Sequence, residues 1–490
     1  GGGWLEPLRP GAKRLKTALS WVVPHVPQGA VLTEPSEGVC NEGRDNAEHD
    51  YICRVGDRIC VPGSEVSYEL LGQLGRGTFG QVMKCRSSVG GKLAALKVIK
   101  HQEFYAGMAT QADEEVAVLQ RLNQAAGCSD SEHIVQMLDS FCHYGHICIA
   151  FELLGPDLLM VLEKDGNPGL PLAFIRAVAR QLLSALHRLR CASVIHGDIK
   201  PENVLVVPDR TALGALAQRE PRVKLIDFGS AQVGGIVAET EDVIIQTLPY
   251  RAPEVLLGLS YTFAVDMWSF GCICAEMVLG RPLFPHGGTE HDVVRNTLEL
   301  LGPIPEHMLQ AGRNTTRYFH RIAQKVSVAS DASPRKAGWI EYIVACWRRR
   351  RVLPRPAQLL RALFRAVQRR AASPAPTRHD YCLKSAHSRQ EEFGTSRITS
   401  LENAISLLRY EISWTRVRLP RRLKPEVLRS QRVTRLHLLR FLLRCLQTNP
   451  DERWLPSEAS CHAFVRTAAP SYREASPWAW SFGGSPFKGR

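Results

Sequence analysis

The hydrophobic pattern along the chain changes its period near residue 150. From Tyr68 to Ile149, apolar and polar positions mostly alternate, as in half-buried β-strands, and one helical pattern around Glu115 interrupts them. Farther along, apolar positions recur with the spacing of amphipathic helices, for example over 174–190 and 265–279. The pattern therefore predicts an α+β fold, with a small, mostly β lobe followed by a larger, mostly α lobe.

The segments outside these runs have a different composition. The first 66 residues are rich in proline, glycine and charge, which is typical of a loose arm, although 50–53 and 58–61 could form short strands. The chain opens at Gly1 without a methionine or a signal-peptide pattern, so we expect it to be a fragment. The predicted organisation is a flexible arm (1–66), the small lobe (67–150), the large lobe (151–319), an arginine-rich, poorly ordered insert (320–433), the end of the large lobe (434–466) and a C-terminal tail (467–490).

The loop HGDIKPEN at 196–203 carries the residue types that phosphoryl transfer requires. Asp198 is placed to accept the proton of an attacking hydroxyl group, and Lys200 can neutralise the transferred phosphoryl group. Asn203, together with Asp227 of the following LIDFG run, offers oxygen ligands suited to Mg²⁺. Because this reaction depends mainly on positioned charge and metal, the loop predicts ATP and Mg²⁺ as cofactors.

A glycine-rich run at 74–82, LGRGTFGQV, lies between two strand-like segments. Glycines allow backbone amides to approach phosphates, and this arrangement favours a β-hairpin folded over a nucleotide. Taken alone, the G-x-G-x-x-G spacing is equally compatible with an ordinary hairpin. On the next predicted strand, a buried Lys97 would need a counter-charge, and Glu115 is better placed on its helix than Glu114 to supply it.

Taken in chain order, these motifs resemble the signature of protein kinases. The resemblance is extended by YRAPE at 250–254, by VDMWSFG at 265–271 and by NPDERW at 449–454. It implies the bilobal protein kinase fold, with the nucleotide in the cleft between the lobes. It also implies a buried ion pair between Glu254 and Arg453. This pair would fix the activation segment, which runs from the DFG run at 227–229 to Glu254.

The motifs and this resemblance together define the candidate site residues. The catalytic candidates are Lys97, Glu115, Asp198, Lys200 and Asn203, the metal candidates are Asn203 and Asp227, and the structural candidates are Glu254, Asp266 and Arg453. The candidate nucleotide contacts are Leu74, Gly75, Arg76, Gly77, Thr78, Phe79, Gly80, Gln81, Val82, Ala95, Lys97, Phe151, Leu153 and Leu205.

Shorter runs narrow the resemblance to one branch of the kinases. YRAPE, PLFP at 282–285 and ASCHAF at 459–464 look like the CMGC group, and the serine after DFG is typical of its dual-specificity tyrosine-regulated branch. Residues 49–60 and 309–319 resemble the homeodomain-interacting protein kinases, so we interpret the chain as a divergent member of that family. The resemblance implies a monomer of the nucleus and cytoplasm that phosphorylates transcription factors and co-regulators, and a pocket shaped by Arg251 that favours Ser/Thr-Pro sites.

Two positions depart from the kinase pattern. Gly197 stands where many kinases place an arginine that binds an activation-loop phosphate, although the homeodomain-interacting kinases also tend to lack it. The activation-loop tyrosine of the family falls at Ile244, which cannot be phosphorylated. The acids at 239, 241 and 242 could supply standing negative charge, but a solvated acidic loop is the simpler interpretation.

Charge and cysteine content add little to this interpretation. The net charge is +14, and the segment 345–377 holds nine arginines and no acidic residue. It could bind nucleic acid or act as a nuclear-import patch, but no nucleic-acid-binding signature accompanies it, and a solvated insert is the simpler interpretation. The 14 cysteines show no metal-site spacing, which indicates reduced thiols, and no apolar run is long enough to span a bilayer.

Three functions are compatible with these motifs. The leading one is a protein serine/threonine kinase that uses ATP. A pseudokinase that acts as a scaffold for transcription regulators is the second, and it is opposed by the intact Lys97, Asp198 and Asp227. A small-molecule kinase is the third, because its loop also contains HGD, but KPE at 200–202 and the segment 250–271 favour protein substrates.

Overall fold

The structure is a computed structural model, and it describes most of the two predicted lobes. The candidate residue Thr78, the activation-loop position Ile244 and most of the predicted insert lie outside the described residues. The chain divides into two compact units, Gly1–Thr315 with Ala386–Arg490, and Thr316–Ser385. The described residues are 26–77, 79–101, 106–124, 132–163, 169–208, 220–237, 245–322, 380–383 and 436–466.

A six-stranded antiparallel sheet forms the small lobe. Its strands lie in the order β1-β2-β3-β4-β6-β5, and helix α1 packs against β5 and β6. The hairpin of β2 and β3 contains the glycine-rich run, and β3 pairs with β4 so that Val82 lies opposite Lys97. The elements are β1 Arg58–Cys60, β2 Ser67–Gly77, β3 Gly80–Ser87, β4 Leu93–Ile99, α1 Ala106–Gln124, β5 Met137–His143 and β6 His146–Glu152.

Alternation along the strands gives this sheet two different faces. On β4, Leu96 and Val98 are buried in an apolar cluster, whereas Ala95 and Lys97 on the other face are only half-buried. Lys97 contacts Asp227 of the large lobe, so the half-buried face is the one that lines the cleft between the lobes. The period-2 pattern of the strands thus separates core residues from site residues.

Residues 26–66 cover the buried face of the sheet, and the expectation of a loose arm is wrong for them. Cys53 and Ile59 belong to the same apolar cluster as Leu96, and Leu32 N donates to Cys53 O at 2.8 Å. The glycines that suggested a loose arm form turns between these contacts, where a positive φ favours glycine. Such turns have φ of 71–90° at Gly29, Gly43, Gly56 and Gly63.

The large lobe is mostly helical, as the sequence predicts. Helices α3 and α5 are largely buried and pack against one another. Three short two-stranded sheets, β7 with β10, β8 with β9 and β11 with β12, lie next to the loops of the cleft in the chain. The predicted α+β fold of two lobes is confirmed. The elements are α2 Leu158–Glu163, α3 Leu172–Cys191, β7 Val194–Ile195, β8 Val204–Val206, β9 Val223–Leu225, β10 Gln232–Val233, β11 Ile236–Val237, α4 Pro253–Leu256, β12 Tyr261–Thr262, α5 Ala264–Leu279, α6 Glu290–Leu301, α7 Glu306–Ala311 and α8 Thr315–Tyr318, with 3₁₀ turns at Asn41–Gly43, Pro201–Asn203 and Leu248–Tyr250.

The chain returns to the same unit after the predicted insert. Helix α9 (436–445) lies against α5, and a Cβ at Gly271 would come within 2.9 Å of Leu446 Cδ2. Arg176 of α3 donates to the carbonyl oxygen of Phe464 at 2.7 Å. Glycine at 271 therefore permits a close approach that a side chain would prevent. The last elements are a 3₁₀ turn at Pro450–Glu452, α10 Pro456–Ser460 and α11 Ala463–Arg466.

The second unit contains one described hairpin and most of α8. Strand β13, Phe319–Ile322, pairs antiparallel with β14, Asp380–Leu383. The latter strand lies inside the segment that the sequence predicts to be poorly ordered, so the prediction missed it. A four-residue strand among Arg, Ala, Ser and Pro leaves too short a pattern to detect. Within the described residues, no helix is long and apolar enough to cross a membrane.

Candidate active site

The loop at 196–203, here called the catalytic loop, is held by Asp266, a buried carboxylate of α5. Asp266 Oδ2 accepts a hydrogen bond from His196 N at 2.8 Å, and Oδ1 accepts one from Gly197 N at 3.0 Å. Gly197 has a φ of 74°, and a Cβ there would come within 2.9 Å of Ser230 O. Asp266 therefore has the structural role that the sequence predicts, since it fixes the backbone of His196 and Gly197. At position 197, both the positive φ and the close contact with Ser230 O favour glycine over the arginine of other kinases.

Asp198 is held by contacts on both carboxylate oxygens. Its Oδ2 lies 2.5 Å from Lys200 Nζ, and its Oδ1 accepts from Thr247 Oγ1 at 2.7 Å and from Thr247 N at 3.1 Å. Asn203 Nδ2 donates to Asp198 O at 2.8 Å. A carboxylate fixed in this way is suited to receive a proton from a hydroxyl group that enters the cleft.

Thr247 is a site residue that sequence reasoning missed. Its hydroxyl group contacts both Asp198 and Lys200, the latter at 3.2 Å. The only signal in the sequence is a hydroxyl residue three positions before Tyr250, and threonine is too common in loops for that spacing to be diagnostic. Thr247 contacts Asp198 only because the activation segment folds back onto the catalytic loop, since the two residues are 49 positions apart in the chain.

Asp227 and Asn203 supply the donor set that fits a divalent metal ion. Asp227 has a φ of 63°, and Ile226 N donates to Asn203 O at 3.0 Å, which joins the two segments. Asn203 turns its Nδ2 towards Asp198, so that its amide oxygen is the atom suited to a metal. Burial would raise the pKa of Asp227, but Lys97 and neighbouring positive groups lower it. An ionised carboxylate and an amide oxygen are hard ligands, as Mg²⁺ requires.

The predicted ion pair between Lys97 and Glu115 is present. Lys97 Nζ lies 2.7 and 3.0 Å from the two carboxylate oxygens of Glu115, and 3.4 Å from Asp227 Oδ1. Burial alone would lower the pKa of the Lys97 ammonium, but these carboxylates outweigh burial and raise that pKa above its ordinary value. Lys97 is therefore a fixed positive charge in the cleft. Gln111, one turn before Glu115, donates to Gly229 O and ties α1 to the DFG run.

Replacing Lys97 with methionine is expected to lower the rate of phosphoryl transfer by about 10²–10³-fold, because it removes a positioned cation from the phosphates. Initial rates with a peptide acceptor measure the effect, beside circular dichroism to verify folding. The matched control is Lys92→Met, at an exposed lysine that precedes the same strand. Unchanged rates for Lys97→Met would remove this lysine from the catalytic set.

The other predicted nucleotide contacts come from the sheet, from the glycine-rich hairpin and from the large-lobe side of the cleft. Val82 lies opposite Lys97, and Ala95 lies opposite Phe151. Leu74 and Leu153 are half-buried, and Leu205 bridges to Asp157 just beyond the connection between the lobes. Glycine is required at position 80, which has a φ of 145° and where a Cβ would meet Val98 O at 2.2 Å. Gly75 and Gly77 belong to β2, and Phe79 lies exposed at the tip of the hairpin.

The side chains of Arg76 and Gln81 are exceptions, because they do not face the cleft. A nucleotide contact at these two positions would come from their backbone, and it stays a prediction. Arg76 forms ion pairs with Glu48 and Asp50, and Gln81 is fully buried, where it accepts from Thr33 Oγ1 at 2.8 Å. Both side chains thus bind residues 33–50 and not the cleft. Strand alternation accounts for Gln81, because it lies one position from Val82 and so points to the opposite face.

The predicted pair of Glu254 and Arg453 lies deep in the large lobe. Arg453 Nη1 and Nη2 lie 2.6 and 2.9 Å from the two carboxylate oxygens, and both side chains are at most 1% exposed. Arg453 also donates to Ala264 O at 2.6 Å and to Gln447 O at 2.9 Å. The pair joins α4, at the end of the activation segment, to the loop that precedes α10.

Comparison with known proteins identifies the family. The family described as "Protein kinase domain" matches residues 68–465. The dual specificity protein kinase YAK1 homolog of Arabidopsis thaliana is 34% identical over 437 residues, covering 89% of this chain and 40% of the relative. The serine/threonine-protein kinase ppk15 of Schizosaccharomyces pombe is 33% identical over 440 residues, covering 89% of this chain and 69% of the relative.

Homeodomain-interacting protein kinase 2 of Mus musculus is 40% identical over a shorter stretch of 278 residues, which covers 56% of this chain and 22% of the relative. The chain also spans only 46% of the length of the dual specificity protein kinase YAK1 of Saccharomyces cerevisiae. The chain therefore belongs to the protein kinase family, as a divergent member of the CMGC branch that includes the YAK1 and homeodomain-interacting kinases.

Proposed function

We propose that the chain transfers the γ-phosphoryl group of ATP to serine and threonine side chains of proteins. The observation that carries this proposal is the surroundings of Asp198, whose carboxylate is held between Lys200 and Thr247 in the cleft that also contains Lys97. Every charged group that the reaction requires is present there. The pseudokinase alternative would be favoured by a lost or displaced member of this set, and none of these residues is lost or displaced.

The geometry assigns one task to each residue. Asp198 accepts the hydroxyl proton as the acceptor oxygen attacks the γ-phosphorus atom, while the bond from that phosphorus to the oxygen of ADP breaks. Lys200 neutralises negative charge on the transferred group, and Lys97 holds the other phosphates. Asn203 and Asp227 would hold Mg²⁺, which neutralises phosphate charge when bound. The products are ADP and a phosphorylated side chain, with the proton on Asp198.

We propose further that the acceptor is followed by proline. Gln246 has a φ of 62°, and its carbonyl oxygen accepts from Arg251 Nε and Nη2 at 3.1 and 2.9 Å. Buried contacts of the Gln246 side chain with Ser269 and the Ala252 amide fix this strained conformation. Because Arg251 already donates to the carbonyl oxygen of Gln246, that oxygen is not available to the substrate. The amide N–H of the residue after the acceptor would therefore have no hydrogen-bond partner in the cleft. Proline has no N–H to lose.

Replacing Arg251 with leucine is expected to weaken the preference for proline, because the Gln246 carbonyl becomes available to an incoming amide. In the wild type, the unpaired amide of a Ser-Ala peptide should give the Ser-Pro peptide about a tenfold higher kcat/KM. In Arg251→Leu, the ratio of the two kcat/KM values should fall towards about one. The control is Arg295→Gln, which removes a half-buried ion pair on α6. The same helix holds Glu290, the partner of Arg251. An unchanged ratio in Arg251→Leu would contradict the proline proposal.

We also propose that the substrates include transcription factors and co-regulators, and that the chain acts as a monomer in the nucleus and cytoplasm. The support is the likeness to kinases whose name refers to interaction with homeodomain proteins. Phosphorylation of purified transcription regulators, compared with cytoplasmic proteins of matched Ser-Pro content, tests this proposal. Equal rates for both groups would count against it.

A further inference from the structure

The glycine-rich hairpin is bound from its outer side by residues of the N-terminal segment. Arg76, between two glycines of the hairpin, lies 2.6 Å from Glu48 Oε2 and 2.6 Å from Asp50 Oδ2. Its second terminal nitrogen donates to the carbonyl oxygen of Glu34. A guanidinium group with three partners on one segment is strongly oriented, because these are charge-assisted hydrogen bonds.

The other strand of the hairpin is attached to the same segment. Gln81 is fully buried, and its amide oxygen accepts from Thr33 Oγ1 at 2.8 Å. Its amide nitrogen, Nε2, donates to the carbonyl oxygen of Tyr51. The N-terminal segment 33–51 therefore binds β2 through Arg76 and β3 through Gln81, on either side of the loop tip.

This segment is itself anchored to the strand that carries Lys97. The ring of His146 is fully buried and lies 2.9 Å from Asp45 Oδ1 and 2.8 Å from Ile99 O, at the end of β4. Asp50 is 1% exposed, and its N donates to Asn46 Oδ1 at 3.0 Å. The carboxylates that hold Arg76 thus have a fixed position relative to the catalytic cleft.

From these contacts we infer that segment 33–51 is a clamp that sets the position of the glycine-rich hairpin, with Arg76 and Gln81 as positioning residues for ATP. The inference rests on the proposed function, because it concerns the same nucleotide site. A hairpin that is held in place before the nucleotide arrives loses less conformational entropy on binding, so affinity for ATP is higher. ATP binding then depends on a segment that precedes the matched kinase domain, which begins at residue 68.

Breaking the clamp at Arg76 is expected to act on ATP binding and not on chemistry. Arg76→Gln should raise the KM and the Kd for ATP by about fivefold to tenfold and leave kcat within about twofold. The Asp50 carboxylate still has a positive neighbour in this variant, because Lys100 Nζ lies 3.9 Å from its Oδ2. Arg76→Lys, which keeps the charge but cannot reach three partners, should give an intermediate KM.

The experiment uses the full chain and measures KM, kcat and the Kd for MgATP by calorimetry, together with hydrogen exchange of the hairpin amides without nucleotide. The variants are Arg76→Gln, Arg76→Lys, Asp50→Asn and the double variant of Arg76→Gln with Asp50→Asn. Arg86→Gln is the matched control, because Arg86 forms an ion pair with Glu69 at 3.5 Å across the same two strands, far from the tip. The control should behave as the wild type.

The clamp predicts that Arg76→Gln and Asp50→Asn each weaken ATP binding and speed exchange in the hairpin, and that the double variant is no worse than either alone. Unchanged Kd and exchange in Arg76→Gln, while the wild type binds ATP, would overturn the clamp and leave the proposed function standing. A fall in kcat without a change in KM would also overturn it. A wild-type chain that binds no MgATP would overturn both proposals.

Discussion

Replacing Asp198 with asparagine is expected to lower kcat for peptide phosphorylation by about 10²–10⁴-fold, because the acceptor hydroxyl loses its base. The amide is the same size, and its oxygen can still accept from Thr247 Oγ1 and N, as Asp198 Oδ1 does. Affinity for ATP should therefore change little. Steady-state kinetics and a calorimetric titration with MgATP separate the two effects.

The control for this variant is Asp451→Asn, at an exposed carboxylate of the same lobe. It makes the same chemical change away from the cleft and should leave kcat at the wild-type value. If Asp198→Asn kept the wild-type kcat, Asp198 would not be the base. If it lost ATP binding as well, the carboxylate would have a role in nucleotide binding that the structure does not show.

Replacing Arg453 with methionine is expected to destabilise the large lobe by about 3–5 kcal/mol, because it leaves the buried carboxylate of Glu254 without a cation. The Nη1 contact to Ala264 O and the Nε contact to Gln447 O would also be lost. The free energy of unfolding in urea measures the effect. Adding Glu254→Gln to this variant should recover part of the loss, since the uncompensated charge is then removed.

Arg180→Met is the matched control for this prediction. Arg180 pairs with Glu220 at 2.9 Å, but these side chains are 43% and 47% exposed. Solvent screens such a pair, so the control should cost only about 0–1 kcal/mol. Equal destabilisation by Arg453→Met and Arg180→Met would contradict a structural role for the buried pair.

The cleft could be predicted from sequence because each of its groups has a local signature. A buried lysine in an apolar strand needs a carboxylate to balance its charge, and in the structure Glu115 forms this ion pair with Lys97. Asp198, Asn203 and Asp227 lie in short loops whose spacing is set by the chemistry of phosphate and metal. The pair of Glu254 and Arg453, 199 positions apart, was predictable only through the resemblance to kinases.

The N-terminal segment could not be predicted in this way. Proline, glycine and charge are the residues of turns as well as of loose arms, and composition alone does not distinguish the two. What orders residues 26–66 is the apolar face of the six-stranded sheet, which they cover and most of whose strands come later in the chain. The place of Arg76 among glycines predicts a nucleotide contact, but the acids that bind its side chain lie 26 and 28 positions earlier in the chain.

Gln246 and Thr247 show a second limit of sequence reasoning. Glutamine with a positive φ has no sequence signature, and its conformation is maintained by contacts with Ser269, Val265 and Ala252. These partners become neighbours only when the activation segment folds onto α5. Such a backbone conformation persists only where the surrounding structure maintains it, and Gln246 lies directly before Thr247, which contacts the proposed base Asp198.

The most direct test of the central claim is a transfer assay with the purified wild-type chain. The chain is incubated with MgATP and a degenerate peptide library, and mass spectrometry identifies the phosphorylated residues, with Asp198→Asn as the parallel reaction. The proposed function predicts phosphoserine and phosphothreonine, enriched before proline, in the wild-type reaction and almost none in the variant. Binding of MgATP by the wild type without any transfer to peptides or proteins would contradict it and favour a scaffold.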